Sequence, residues 1–162
     1  MPQTRSSTTW FLRGLCGLCA FCVVCLAQAD KADALSEAAR KGDAAAVRKL
    51  LDEGVDVNTK FRYDRTALSF AADRGHADVV KVLLERGADV TIKDTFYGAT
   101  ALTWAVNPAM DRKPSHTDVV RLLLQQGGFS ADALSDALRD ATRAKLADVV
   151  ALLEKAGAKP KQ

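Results

Sequence analysis

No cysteine follows Cys25 in this 162-residue chain. All four cysteines, Cys16, Cys19, Cys22 and Cys25, fall at every third position of one short apolar stretch. The rest of the chain can form no disulfide and offers no thiolate, so its stability has to come from packing. The cysteine run also lacks the features of a reactive site. An iron–sulfur run needs a three-residue gap and a following proline, a zinc knot takes its second ligand pair from a distant segment, and a thioredoxin-like pair sits between a strand and a helix. Histidine is equally scarce: only His76 and His116 occur, in no H-x-x-x-H or H-E-x-x-H pattern. No glycine loop of the phosphate-cradling kind is present, and no nucleophile–base pair is suggested by spacing. These absences point to a non-enzymatic protein without cofactor or metal. A hydrolase or metal-binding protein is kept as the remote alternative.

A long hydrophobic run is missing too. The apolar centre, Leu15 to Leu26, falls short of the roughly 20 residues that span a bilayer. Arg5 and Arg13 precede it, no acid occurs before Asp30, and Ala27-Gln28-Ala29 closes it. A basic start, a short apolar core and a small-x-small end describe a secretory signal peptide, in which cysteine serves as a small hydrophobe. Residues 1–29 are therefore expected to be a cleaved leader, cut between Ala29 and Asp30. The alternatives are an uncleaved anchor and a metal or redox role for the cysteines. A lipid-anchored cysteine is disfavoured because Leu15, Leu18, Phe21 and Val24, which precede the four cysteines, are all large. The expected location is the periplasm or the exterior, with no membrane insertion after cleavage.

Lysine and arginine number 23 against 20 aspartates and glutamates, and two of the arginines belong to the leader. The remainder is near neutral, so no global field favours nucleic acid or a membrane. That remainder has the length of one domain, large enough to bury a usable core.

What the chain does contain is a repeat. "ALSEAARKGDAAAVRKLLDEGVDVN" (34–58) and "ALSFAADRGHADVVKVLLERGADVT" (67–91) align without a gap at an offset of 33. Leu35 matches Leu68, Gly42 matches Gly75, Leu50-Leu51 matches Leu83-Leu84, and Gly54 matches Gly87. A third copy has Leu102 in the place of Leu68 and carries an insertion within Asn107–His116. A fourth, weaker copy has Leu138, Ala141, Val149-Val150 and Gly157 in place, with Lys145 at the position of Gly75 and Glu154 at that of Leu84. In the second copy Leu68, Ala71 and Ala72 form a narrow apolar helical stripe, and Val79, Val80, Leu83 and Leu84 form another. Gly75 permits a tight turn between the two helices, and Gly87 closes the second. Neither helix of a pair can bury its apolar face alone, so the pairs have to stack.

This period and its T-x-L, A-A, G-H, V-V, L-L and G-A landmarks resemble the ankyrin repeat. The resemblance implies an all-α solenoid of about four helix-turn-helix repeats joined by hairpin-like finger loops. The expected repeats cover about 30–59, 60–92, 93–130 and 131–158, with a short tail at 159–162. Thr66 and Thr100 are placed as N-caps. The family's T-P-L-H reads Thr66-Ala67-Leu68-Ser69 and Thr100-Ala101-Leu102-Thr103, so its Thr–His hydrogen bond has no histidine here and somewhat less rigid repeats are expected. His76 and His116 share a repeat position and are read as bracing the turn between helices.

The resemblance further implies a protein–protein interaction module that binds through its finger tips and concave helix face. Four of the seven aromatics after residue 29 sit on two such fingers. The contact candidates are Lys60, Phe61, Arg62, Tyr63 and Arg65 on the first, and Lys93, Thr95, Phe96, Tyr97 and Ala99 on the second. Asp73, Arg74 and Asn107 continue the rim. The family's finger-closing glycine is Asp64 in the first and Gly98 in the second. Phe70 and Trp104 share a helix position and are read as inter-repeat core. A short chain made of little but repeats resembles the small periplasmic ankyrin proteins of Gram-negative bacteria, some of them linked to oxidative-stress defence. The implied partner is another protein, bound by a chain monomeric by itself and acting as an exported scaffold or accessory protein. An inhibitor or immunity protein capping a toxin or hydrolase is the alternative.

Overall fold

The computed structural model describes residues 30–107 and 115–160. The expected leader with Ala29, the middle of the 107–116 insertion and the last two residues lie outside the described residues. Asp30 is already helical and exposed.

Among the described residues there are eight α-helices and no strand. They come in pairs: α1 (30–41) with α2 (Ala44–Asp52), α3 (Ala67–Arg74) with α4 (Ala77–Glu85), α5 (Ala101–Val106) with α6 (Ser115–Gln126), and α7 (Ala131–Arg143) with α8 (Ala147–Lys155). Most of these helices are under three turns, too short to persist alone in water. They persist because α3, α5 and α7 pack side by side in one layer while α2, α4, α6 and α8 pack in a second. The equivalent leucines Leu35, Leu68, Leu102 and Leu138 are all buried between the layers, as are Val79-Val80, Val119-Val120 and the paired alanines Ala38-Ala39 and Ala71-Ala72. Small residues at the inner-layer contacts let neighbouring repeats approach, which is why the alanine positions recur.

Four helix starts, those of α2, α3, α5 and α7, are fixed by side chains. The hydroxyl of Thr66 accepts from Ser69 N at 3.3 Å, and Ser69 Oγ accepts in return from Thr66 N at 3.0 Å. Serine thus closes a capping box at the start of α3 where the family's motif has histidine. Thr100 holds Thr103 N more weakly, at 3.5 Å, while Asp43 and Ser130 cap α2 and α7.

The two histidines act alike. His76 Nε2 bonds the carbonyl of Arg40 at 3.0 Å, and His116 Nε2 bonds that of Asp73 at 3.3 Å. Each ties the start of an outer helix to the inner helix of the preceding repeat. Gly42 makes room for the first: a Cβ there would lie 2.7 Å from the His76 ring. At the same turn of the last repeat, Lys145 adopts φ 55, a conformation costly for a side chain with a Cβ. No described helix is long and apolar enough to cross a membrane.

Candidate functional site

Each finger is a short loop closed at its base by backbone. Phe61 N donates to Arg65 O at 2.8 Å, and Asp94 N donates to Ala99 O at 3.0 Å. The first turns through a single 3₁₀ turn, Arg62–Asp64, in which Tyr63 and Asp64 both have positive φ, 62 and 56. The second turns at Gly98, whose φ of 64 needs no side chain to be accommodated. The fingers are bonded to each other, because Thr95 N donates to Tyr63 O at 2.9 Å.

Asp94 organises the second finger. It is buried; its Oδ1 accepts from Phe96 N at 2.9 Å and Tyr97 N at 2.6 Å, and its Oδ2 accepts from Trp104 Nε1 at 2.8 Å. One carboxylate therefore fixes the finger's turn and the indole beneath it. A buried indole N–H requires such an acceptor.

The rings and cations form a continuous ladder along the inner face. Arg40 lies 4.1 Å from the centre of the Phe70 ring, and Arg65 lies 4.3 Å from the same ring. Arg65 also lies 4.1 Å from the ring of Trp104, so its guanidinium is held between two aromatics. Tyr97 meets Trp104 edge-on at 5.7 Å, Phe96 meets Tyr97 at 4.4 Å, and Tyr63 meets Phe96 at 5.2 Å. Arg62 covers the outer side of Tyr63 at 4.8 Å. Each cation–ring contact contributes roughly 0.5–2 kcal/mol depending on burial.

The candidates divide by position. Lys60, Arg62, Tyr63, Lys93, Thr95, Phe96, Tyr97 and Arg74 are exposed. Among the described residues, the exposed large hydrophobics are Tyr63 at 45%, Phe96 at 59% and Tyr97 at 70%. All three stand on the fingers. Phe61 is half-buried and packs on Phe70, with ring centres 6.0 Å apart. Ala99 is buried at the base of the second finger. Asp73 is buried too, and it accepts from Arg65 Nη2 at 3.1 Å. Neither presents its side chain at the surface. Arg65 Nε and Asp73 Oδ1 are buried without a hydrogen-bond partner. Asn107 ends α5 and lines an open groove of about 420 Å³ with Tyr97, Thr103, Trp104 and the α7 residues Asp136, Arg139 and Arg143.

Phe70 and Trp104 are both buried; Phe70 belongs to the apolar core, whereas Trp104 packs on Arg65, Tyr97 and Asp94 outside it. Their faces are nonetheless covered by guanidinium groups, so they floor the inner surface as well as join repeats. Two residues of the site were not singled out from sequence. Asp94 carried a usable signal: an aspartate opening a turn, with a tryptophan ten residues on that needs an acceptor. Arg40 carried none, since it reaches across one whole repeat. Among the described residues no group of histidine, cysteine, aspartate and glutamate is arranged to hold a metal.

Two carboxylates outside the fingers are more acidic than usual. The Thr91 hydroxyl and backbone N–H hold Asp89 below its ordinary value. A hydrogen bond from Lys31, reinforced by its charge, does the same for Glu53. Both contacts brace loops and helix ends.

A family model described as ankyrin repeats (3 copies) matches the chain over residues 15–94 and 35–132. A comparison with curated proteins gave no match.

Proposed function

We propose, from the premise that this chain belongs to the ankyrin-repeat family, that it works as an exported scaffold or accessory protein gripping one protein partner between its fingers and inner helix face. Ankyrin repeats are protein-binding modules, and the family is generally non-enzymatic. The single observation carrying the site is the exposure of Tyr63, Phe96 and Tyr97 on two fingers bonded to each other. Aromatic side chains on rigid supports are the usual anchors of interfaces, because they bury much area at low entropic cost. The periplasm or exterior is proposed as the place of work on the composition of residues 1–29. Envelope or oxidative-stress defence is proposed as the setting on resemblance alone.

The test is capture from envelope extract by the wild-type protein and by a Tyr63→Ala/Phe96→Ala/Tyr97→Ala variant with unchanged circular dichroism. The variant is expected to lose the partner. Equal capture by both would remove the fingers from the contact surface. N-terminal sequencing of the exported protein is expected to begin at Asp30, and a form retaining Cys16 to Cys25 would overturn the leader.

A further inference from the structure

We infer that the aromatic crest of the two fingers takes an acidic segment of its protein partner, one that carries a large apolar or aromatic side chain. This rests on the reading above that the fingers are the contact surface, and it adds the chemistry of what they touch.

The first observation is an imbalance of available charge around the crest. Lys60, Arg62 and Lys93 are exposed at the finger bases and tip, and none of them takes part in an ion pair among the described residues. Most acids of the same region are already engaged, although Asp33 and Glu37 of α1 line a groove with Lys60 and Arg62; Glu37 is paired with Lys41, and Asp33 is in no ion pair among the described residues. Asp94 is buried and accepts three hydrogen bonds, and Asp73 is buried against Arg65. Asp64 is the one finger acid not engaged in this way. Residues 30–162 carry 21 basic and 20 acidic side chains, yet this crest faces outward with more cations than acids left outside ion pairs. An acidic segment would meet them without displacing an existing pair.

The second observation is that the rings between those cations are presented and held. The Phe96 ring meets both Tyr63 and Tyr97, and their backbones are fixed by the Asp94 carboxylate and by the Thr95–Tyr63 bond. Two consecutive non-glycine residues with positive φ shape the first tip. Such strain persists only where the surroundings impose it, and it gathers at binding surfaces. A prearranged crest loses little freedom on binding. An apolar side chain against the rings would supply affinity, while carboxylates on either side would meet Lys60, Arg62 and Lys93 and set specificity and approach.

The experiment is a selection of short random peptides on the immobilised protein, followed by affinity measurement of the enriched sequences. The expected consensus is acidic with one aromatic or large aliphatic residue. Its binding should weaken roughly tenfold or more in Lys60→Glu/Arg62→Glu/Lys93→Glu. It should also weaken, with a flatter salt dependence, in the corresponding triple glutamine variant. Circular dichroism checks that both variants stay folded. Neutral or basic peptides bound at the crest would overturn the acidic partner while leaving the fingers as the contact surface. Enriched peptides indifferent to Tyr63→Ala/Phe96→Ala/Tyr97→Ala would overturn the finger reading itself. No enrichment, tighter binding of a single-stranded oligonucleotide, or self-association abolished by Tyr97→Ala would each overturn the proposal.

Discussion

Arg65, partly buried, donates to the buried carboxylate of Asp73 across 3.1 Å, and Arg65 Nε and Asp73 Oδ1 are each buried and left unmatched. Such a pair contributes little beyond a well-packed apolar replacement, whereas removing one partner strands a buried charge. Arg65→Ala also empties the space between Phe70 and Trp104. It is expected to cost about 3–5 kcal/mol, and Asp73→Ala nearly as much. Arg65→Met/Asp73→Leu should recover most of that loss. Urea unfolding of the three variants measures it. A single variant within about 0.5 kcal/mol of wild type would show that solvent already serves the partner left behind.

Of the three described non-glycine residues with positive φ, Tyr63, Asp64 and Lys145, two stand where other repeats use glycine. Lys145 has φ 55 and Asp64 has φ 56, where the equivalent turns elsewhere in the chain use Gly75 and Gly98. Lys145→Gly is expected to raise stability by about 1 kcal/mol, the usual penalty for a Cβ in this region. Asp64→Gly should gain less, because aspartate tolerates the left-handed region better than most residues. Thermal unfolding decides both. A loss of stability in Lys145→Gly would mean that its side chain makes a contact worth more than the strain.

The leucines and valines that stack the repeats were legible in sequence, because a repeat states its core again at each copy: Leu35, Leu68, Leu102 and Leu138 occupy one position and are all buried. Caps were legible for a similar reason. A hydroxyl before an apolar stripe has one main use, and Thr66 and Thr100 meet it. The reciprocal cap made by Ser69 in place of the family's histidine was not legible, since only the structure shows its hydroxyl reaching the Thr66 N–H. The floor of the site was harder to read. Whether Phe70 and Trp104 face the core or the surface depends on Arg40 and Arg65, which come from elsewhere in the chain to cover them. Local pattern carries no record of such a meeting. Finger aromatics could be found by their position, but which of the four stay exposed depends on packing. Phe61 turned inward onto Phe70, and the other three did not.

Acid should loosen the fold through two surface carboxylates. Glu53 is held below its usual value first by the hydrogen bond from Lys31 and then by that residue's charge. Asp89 is held down by the hydroxyl of Thr91 and then by its backbone N–H. Both groups are more acidic folded than unfolded, so the unfolded chain binds more protons in the interval between the two values. Their stabilisation is complete above the ordinary carboxylate range, about pH 4, and is lost as pH falls through the lower, folded values. Urea midpoints should be flat near neutrality and decline below about pH 4. Thr91→Val and Lys31→Gln should each make that decline shallower. A midpoint in Thr91→Val that is unchanged at neutral pH and falls as steeply in acid would exclude Asp89 as a contributor.

Asp94 gives a way to disturb the second finger without touching an exposed residue. Its carboxylate holds Trp104 Nε1 at 2.8 Å and two backbone N–H groups of the finger. Asp94→Ala leaves the indole donor buried and unpaired, at a cost of about 1–3 kcal/mol, and releases the turn that presents Phe96 and Tyr97. Trp104 is the only tryptophan beyond Trp10 of the expected leader, so emission from the processed chain reports on this one bond. The expected result is a red-shifted, weaker-protected tryptophan together with loss of the partner, although Tyr63, Phe96 and Tyr97 are all still present. Asp94→Asn keeps one acceptor for the turn and should fall between the two. If Asp94→Ala left both emission and partner capture unchanged, the finger would have to be held by the bond from Thr95 to Tyr63 instead. Thr95→Pro, which removes that donor, would then be the variant that releases it.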